Sequence, residues 1–182
     1  LQRATGEGRS LPADGTRPFD RTQARGYRVK VLKGTLHSRG RAIGTWLSLG
    51  DTSIAEIACR AGFDWVCVDL EHSAVTLERA AQLIQIIDRS GSAPLVRLSS
   101  NDPVQIKRVM DAGAHGIIVP MVNSAADVEA AHAAMHYPPT GTRGVGLSRA
   151  QAWGPGFDEY REWLSTSAVL VAQIEHQDAM AA

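Results

Sequence analysis

Cysteine is scarce: Cys59 and Cys67 are the only two in 182 residues. Their spacing fits neither a disulfide framework nor a metal-ligand set, so both read as small core residues in a reducing cytoplasm. Net charge is also absent, since 19 Lys and Arg balance 19 Asp and Glu. The overall balance therefore gives no reason to expect nucleic acid or an anionic membrane as partner. No apolar run exceeds the length of a strand, which excludes a membrane-spanning helix. No charged, apolar, small-residue signal pattern opens the sequence, and the expected compartment is the cytoplasm. Lysine occurs only as Lys30, Lys33 and Lys107. Lys107 lies within an expected helix rather than at a strand end, so these residues do not support a Schiff-base route. No G-x-G-x-x-G follows the first strand-like run, where Gly44 precedes Thr45 and Trp46 and Gly50 stands alone. That counts against a dinucleotide-binding sheet.

What is present divides into two stretches. With 44% apolar and 21% charged residues, the chain falls in the globular class and can bury one sizeable core. Its beginning differs: Arg3, Arg9, Arg17, Arg21, Arg25, Arg28 and Lys30 face three acids, with Gly, Pro and Thr interspersed. Residues 1–28 read as a disordered, solvated basic tail, and residues 29–182 as the folded part.

From Ala42 an alternation sets in. Strand-length apolar runs cover Ala42–Leu47, Trp65–Val68, Pro94–Leu98, Gly116–Val119 and Ala168–Ile174, with helical patterns between them. Thr52 or Ser53 is the expected cap of the first helix, with Gly62 as its stop. Thr76 caps a helix whose apolar face is Leu77, Ala80, Ala81, Ile84 and Ile87, ending at Gly91. Asn101 or Asp102 before Pro103 starts another, closed by Gly113. Ser124, with Asp127 three residues on, caps an alanine-rich helix. About 30 residues then separate that helix from the fifth run, a length that marks a functional or interface segment; Phe157–Leu164 adds a short helix inside it. Strand and helix in strict alternation mean parallel pairing, in a barrel or a doubly wound sheet. The missing glycine fingerprint favours a (β/α)8 barrel, with reactive groups at the C-terminal strand ends.

Polar residues at those ends are the candidates. The second run closes as WVCVDLEHSAV, with Asp69, Glu71 and His72 at its mouth. The third ends at Arg97, and the fifth carries Gln173 and Glu175, two apart and so on one side. A carboxylate suits a hard divalent cation, Arg suits a carboxylate or oxyanion, and His is the usual base near neutral pH. The competing reading is that polar groups at a barrel mouth satisfy backbone and one another; Arg97 could pair with Asp69 or Glu71 under either reading. His115, His132, His136 and His176 read as surface or packing residues, although His176 adjoins Glu175. Arg143, between Gly141 and Gly144, could reach a ligand's far end or a neighbouring subunit.

GTWLSLGD, AGFDWVCVDLEH, PLVRL, NDPVQIKRVMDAGA, IIVPMV, YPPTGTRGVG and VAQIE, in this order, resemble the HpcH/HpaI aldolase family over about residues 29 to 182. The resemblance implies a TIM barrel of which about the first five βα units are present. It implies a metal-dependent (class II) aldolase cleaving 4-hydroxy-2-oxo acids to pyruvate and an aldehyde, with bound Mg, Mn or Co, as a homo-oligomer, commonly a hexamer. By position, His72 matches the catalytic base and Asp111 the carboxylate that raises its basicity. Arg97 matches the enolate-stabilising arginine, Gln173 a substrate-binding amide and Glu175 one of two carboxylate metal ligands. The second ligand, an aspartate in a G-P-x-D-L motif after strand six, has no counterpart in these residues. Two other outcomes stay open: a citrate-lyase-β-like acyl-CoA lyase, whose DLED strand DLEH resembles with an acid where His72 stands, and a non-catalytic truncated barrel.

Overall fold

Residues 32–180 are described by a computed structural model of the chain. The basic stretch 1–28 lies outside the described residues. Five strands, β1 (Gly44–Leu47), β2 (Trp65–Asp69), β3 (Ala93–Arg97), β4 (Gly116–Val119) and β5 (Val169–Ala172), form one sheet in that order. All four pairings are parallel, with Leu47 opposite Val68, Asp69 opposite Arg97, Arg97 opposite Ile118 and Val119 opposite Ala172. A doubly wound sheet has a point where the chain returns to the middle and reverses. Here every strand adds to the same edge, which is how a barrel wall grows.

The connecting helices are α2 (Thr52–Arg60), α3 (Leu77–Arg89), α4 (Pro103–Asp111), α5 (Ala125–Met135) and α6 (Phe157–Ser167). Their starts follow the side-chain chemistry. Asp51, rather than Thr52 or Ser53, caps α2 by accepting from Ser53 and Ile54 N–H at 2.7 and 3.2 Å. One residue earlier, a single charged carboxylate oxygen, Oδ1, reaches both free N–H groups. Thr76 caps α3, Asp102 caps α4, and Ser124 with Asp127 forms a reciprocal capping box on α5. Gly91 and Gly113 take up φ of 85° and 100° just after α3 and α4, a backbone that suits glycine.

Alternation along the strands sorts the core into two layers. Leu47, Val66, Val68, Val96, Ile117 and Val119 pack against the helices in the main cluster. Cys67, Ala93, Leu95 and Ile118 point the other way, into the concave side. Asp69 and Arg97 continue that second series at the C-terminal ends of β2 and β3. Helix α1 (Leu32–Arg39) precedes the alternation and puts Leu32 into the concave cluster. Its sequence, LKGTLHSR, has glycine inside and no apolar period, so the sequence reading contains no helix there.

The long connection before β5 is tied down by buried polar groups. Arg143, 2% exposed, lies over the Tyr137 and Tyr160 rings. It donates to Asp111 Oδ1 at 2.5 Å, Tyr160 Oη at 3.0 Å and the Met135 carbonyl at 3.2 Å. The expectation that Arg143 reaches a ligand or another subunit is therefore corrected: its hydrogen bonds hold it inside the connection. Nearby, Asp88 at the end of α3 pairs with His115 (3.3 Å) and with Arg149. No helix among the described residues is long and apolar enough to cross a membrane.

Candidate active site

The centre of the site is Arg97. Its Nε and Nη2 donate to the two oxygens of Asp69 at 2.9 and 2.6 Å, a bidentate pair across the β2–β3 register. Nη1 lies 3.3 Å from Glu71 Oε2, and the guanidinium carbon sits 4.7 Å from the centre of the Trp46 ring. Glu71 Oε2 is buried and has no aligned hydrogen bond, so its approach to Arg97 is a charge contact. The planar fork is fixed on three sides, yet both terminal nitrogens keep a donor for a ligand.

Asp69 also organises the loop after β2. Its Oδ1 accepts the Glu71 and His72 N–H groups at 3.0 and 3.2 Å, and its carbonyl accepts from Ser73 Oγ at 2.5 Å. Burial by itself would raise the Asp69 pKa, but the Arg97 hydrogen bond, the two backbone N–H groups and the Arg97 charge outweigh it. The carboxyl is held below its ordinary value, and Asp69 raises Arg97 in turn. The same turn leaves His72 outward, with a side chain 73% exposed and Nε2 at 3.8 Å from Glu71 Oε1.

Across the sheet, β5 ends at Ala172, so Gln173 and Glu175 stand beyond the strand, not within it as the apolar run suggested. Gln173 remains tied to β4 through its N–H to the Val119 carbonyl (2.9 Å) and its carbonyl to Val122 N–H (3.2 Å). Its Nε2 donates to Glu175 Oε2 at 2.5 Å, and Met121 N–H donates to Glu175 Oε1 at 2.7 Å. The Gln173 Oε1 atom is buried and unpartnered. An exposed carboxylate and an orphaned amide oxygen are hard donors that fit part of a divalent-cation site. They do not complete one, since no group of three or more His, Cys, Asp or Glu suited to a metal occurs among the described residues. His176 turns aside, its Nδ1 accepting from Asp178 N–H at 3.2 Å.

His72, Arg97, Gln173 and Glu175 thus share the C-terminal rim of one parallel sheet. Asp111 does not join them. It ends α4, just before the entry to β4, and so lies at the opposite rim from His72, bonded to Arg143. Within one chain, then, the expected pairing of Asp111 with His72 does not occur; the carboxylate beside His72 is Glu71. Trp46 is a contributor to which sequence reasoning gave no role, although its place on the concave face near the end of β1 was a usable signal. Cys67 is no nucleophile, because burial pushes its thiol up to about 12.

The HpcH/HpaI aldolase/citrate lyase family model matches residues 42–182. The 4-hydroxy-2-oxo-heptane-1,7-dioate aldolase of Salmonella arizonae is 42% identical over 152 residues, 82% of this chain and 57% of that protein. Among solved structures, the HpcH/HpaI aldolase from Desulfitobacterium hafniense DCB-2 matches with a TM-score of 0.73 at 32% identity, covering 82% of this chain and 59% of that one. The citrate synthase SbnG matches with a TM-score of 0.73 at 29% identity, covering 84% and 59%. The chain spans less than two thirds of the length of each of these relatives. Over that span, the ordered strands, the rim residues and the matching family model lead to one statement: the chain belongs to the HpcH/HpaI aldolase/citrate lyase family.

Proposed function

We propose that this chain carries the base and oxyanion-binding part of a metal-dependent aldolase that releases pyruvate from 4-hydroxy-2-oxo acids. The observation that carries the reading is the Arg97 socket: a guanidinium fixed by Asp69, Glu71 and Trp46, with donors left over, beside an exposed imidazole. In the retro-aldol step His72 takes the 4-hydroxyl proton. The C4–O bond becomes a carbonyl, the C3–C4 bond breaks, and its electron pair forms the enolate of pyruvate. Arg97 donates to the enolate oxygen as charge gathers there, an interaction stronger in the transition state than in the bound substrate. The proton that His72 took up then passes to C3, directly or through water, which completes pyruvate and restores the base. Glu71 is the carboxylate next to His72, and Asp111 takes no part in this chain's own step.

Glu175, with Gln173 beside it, would supply one side of a site for Mg, Mn or Co, the other carboxylate coming from outside these residues. Bound there, such a cation supplies Lewis-acid polarisation of the 2-oxo group. Electrostatics agrees with that need. Asp69, Glu71 and Glu175 outnumber Arg97, and an anionic 2-oxo acid enters such a rim only with added positive charge. The citrate synthase relative keeps a second reading in view, carbon–carbon chemistry on another carboxylic acid. His72, where the citrate-lyase type carries an acid, favours the pyruvate aldolase. A cytoplasmic homo-oligomer belongs to the same proposal.

The test is pyruvate release from 4-hydroxy-2-oxoheptanedioate with added Mn, for the chain joined to the remaining part its relatives possess. Arg97→Ala is expected to lower kcat roughly 100-fold or more. A rate near that of the unchanged protein would remove Arg97 from the chemistry.

A further inference from the structure

β4 and β5 run as a regular parallel pair up to Val119 and Ala172. Gln173 carries the ladder one step further, since its N–H donates to the Val119 carbonyl at 2.9 Å. In an unbroken parallel ladder the Gln173 carbonyl would then accept from Met121, two residues after Val119. It accepts from Val122 N–H instead, at 3.2 Å. Met121 is therefore an extra residue, a bulge just past the C-terminal end of β4, and bulges re-aim groups beside active sites. Its φ is 52°, in the left-handed region that an L side chain enters only at a cost. The side chain is 50% exposed, so its burial does not account for that conformation. What the bulge releases is a backbone donor: Met121 N–H bonds to Glu175 Oε1 at 2.7 Å.

We propose that Met121 is a positioning residue for the metal site: the bulge turns its backbone N–H onto the Glu175 carboxylate and so sets how that carboxylate meets a cation. The inference rests on the reading of Glu175 as a metal ligand.

The other oxygen of the same carboxylate, Oε2, accepts from Gln173 Nε2 at 2.5 Å. One donor comes from the end of β4 and one from the end of β5, so the carboxylate is held at both oxygens although Glu175 is exposed. An ionised carboxylate offers about four acceptor sites, and two hydrogen bonds leave lone pairs on both oxygens. A glutamate free in solvent would lose rotamer freedom on taking up a cation, and holding it beforehand lowers that cost. Because the donor is a main-chain group, the requirement at position 121 is a conformation and not a side chain. Glycine enters the left-handed region freely, whereas a β-branched residue resists it.

The test uses the chain joined to the remaining part its relatives possess. Manganese binding is followed by the electron paramagnetic resonance signal of the free ion, with circular dichroism as the check on folding. Replacing Met121 by its α-hydroxy analogue turns the amide into an ester, which keeps the side chain and removes the N–H. That variant is expected to keep the native spectrum and to bind manganese about tenfold more weakly. Met121→Gly retains the N–H and suits this φ, so it should bind within about twofold of the unaltered protein. Met121→Val should weaken binding several-fold. A loss in Met121→Gly as large as in the ester would overturn the proposal, because the thioether side chain would then carry the effect. Glu175→Gln separates this inference from the reading beneath it. Manganese lost in Glu175→Gln but held at full affinity by the ester overturns the role of Met121 alone. Manganese unaffected by Glu175→Gln overturns both.

Discussion

At the scale of single residues, Arg97 and its neighbours decide the account. Bidentate bonding to Asp69 fixes the guanidinium plane at the C-terminal end of β3, and Trp46 covers one face. Loss of the Trp46 ring should cost ~0.5–2 kcal/mol of this positioning. Trp46→Ala is therefore expected to weaken pyruvate binding several-fold in a calorimetric titration, with Trp46→Phe recovering most of it. Equal losses in both variants would show that Trp46 acts through shape and not through its π-face. Arg143 makes the opposite case. It is buried against Asp111, Tyr137 and Tyr160 at the other rim. Arg143→Met should destabilise the chain in urea by about 3 kcal/mol, toward the low end for a broken buried pair because Asp111 keeps some water. KM for the 2-oxo acid should stay as it was; a raised KM at unchanged stability would return Arg143 to the substrate.

At the scale of elements, Asp88, His115 and Arg149 tie together the end of α3, the entry to β4 and the 3-10 turn Arg149–Gln151. Burial by itself would raise Asp88, but hydrogen bonds from His115 and Arg149 and their charges outweigh it, so its carboxyl is held below the ordinary value. A depressed folded value contributes stability fully above the unfolded value, near 4, and loses it as pH falls through the folded one. Urea unfolding should show stability falling on acidification below about pH 4. Asp88→Asn should start about 3 kcal/mol lower at neutral pH and have a flatter acid limb. Parallel curves for the two proteins would mean that another carboxylate governs the acid limb.

Elements are also where the sequence was most readable. All five strands lie on the five apolar runs, and Thr76, Asp102 and Ser124 cap the helices expected of them. Those signals are local: a period of two, a hydroxyl or carboxylate before a helix, a glycine after it. What escaped depends on contacts far apart in sequence. Helix α1 is held by Leu32 against strands β2 to β4 and has no period of its own. The partner of Arg143 is 32 residues away. Of the candidate site, the places of Arg97 and His72 at and just after strand ends were legible because strand ends can be counted, whereas Gln173 and Glu175 lie past the end of the strand expected to carry them. The separation of Asp111 from His72 was not legible, because motif resemblance gives order along the chain without saying which end of a helix faces which rim.

At the scale of the whole molecule, the parallel sheet separates two kinds of polar chemistry. Every strand delivers its last residue to one rim, where Asp69, Glu71, His72, Arg97, Gln173 and Glu175 gather. Helix ends and strand entries meet at the other, where Asp88, Asp111, Arg143 and Arg149 lock the connections. The function proposed for the first rim requires that a cation at Glu175 and the guanidinium of Arg97 hold one small acid between them. The most direct measurement is manganese anomalous diffraction from crystals of the protein, extended through the part its relatives possess and soaked with pyruvate. Manganese is expected on Glu175, with the pyruvate 2-oxo oxygen within hydrogen-bond reach of Arg97 and the ligand beside His72. Manganese on residues away from Glu175, or pyruvate bound out of reach of Arg97, would contradict the proposed function.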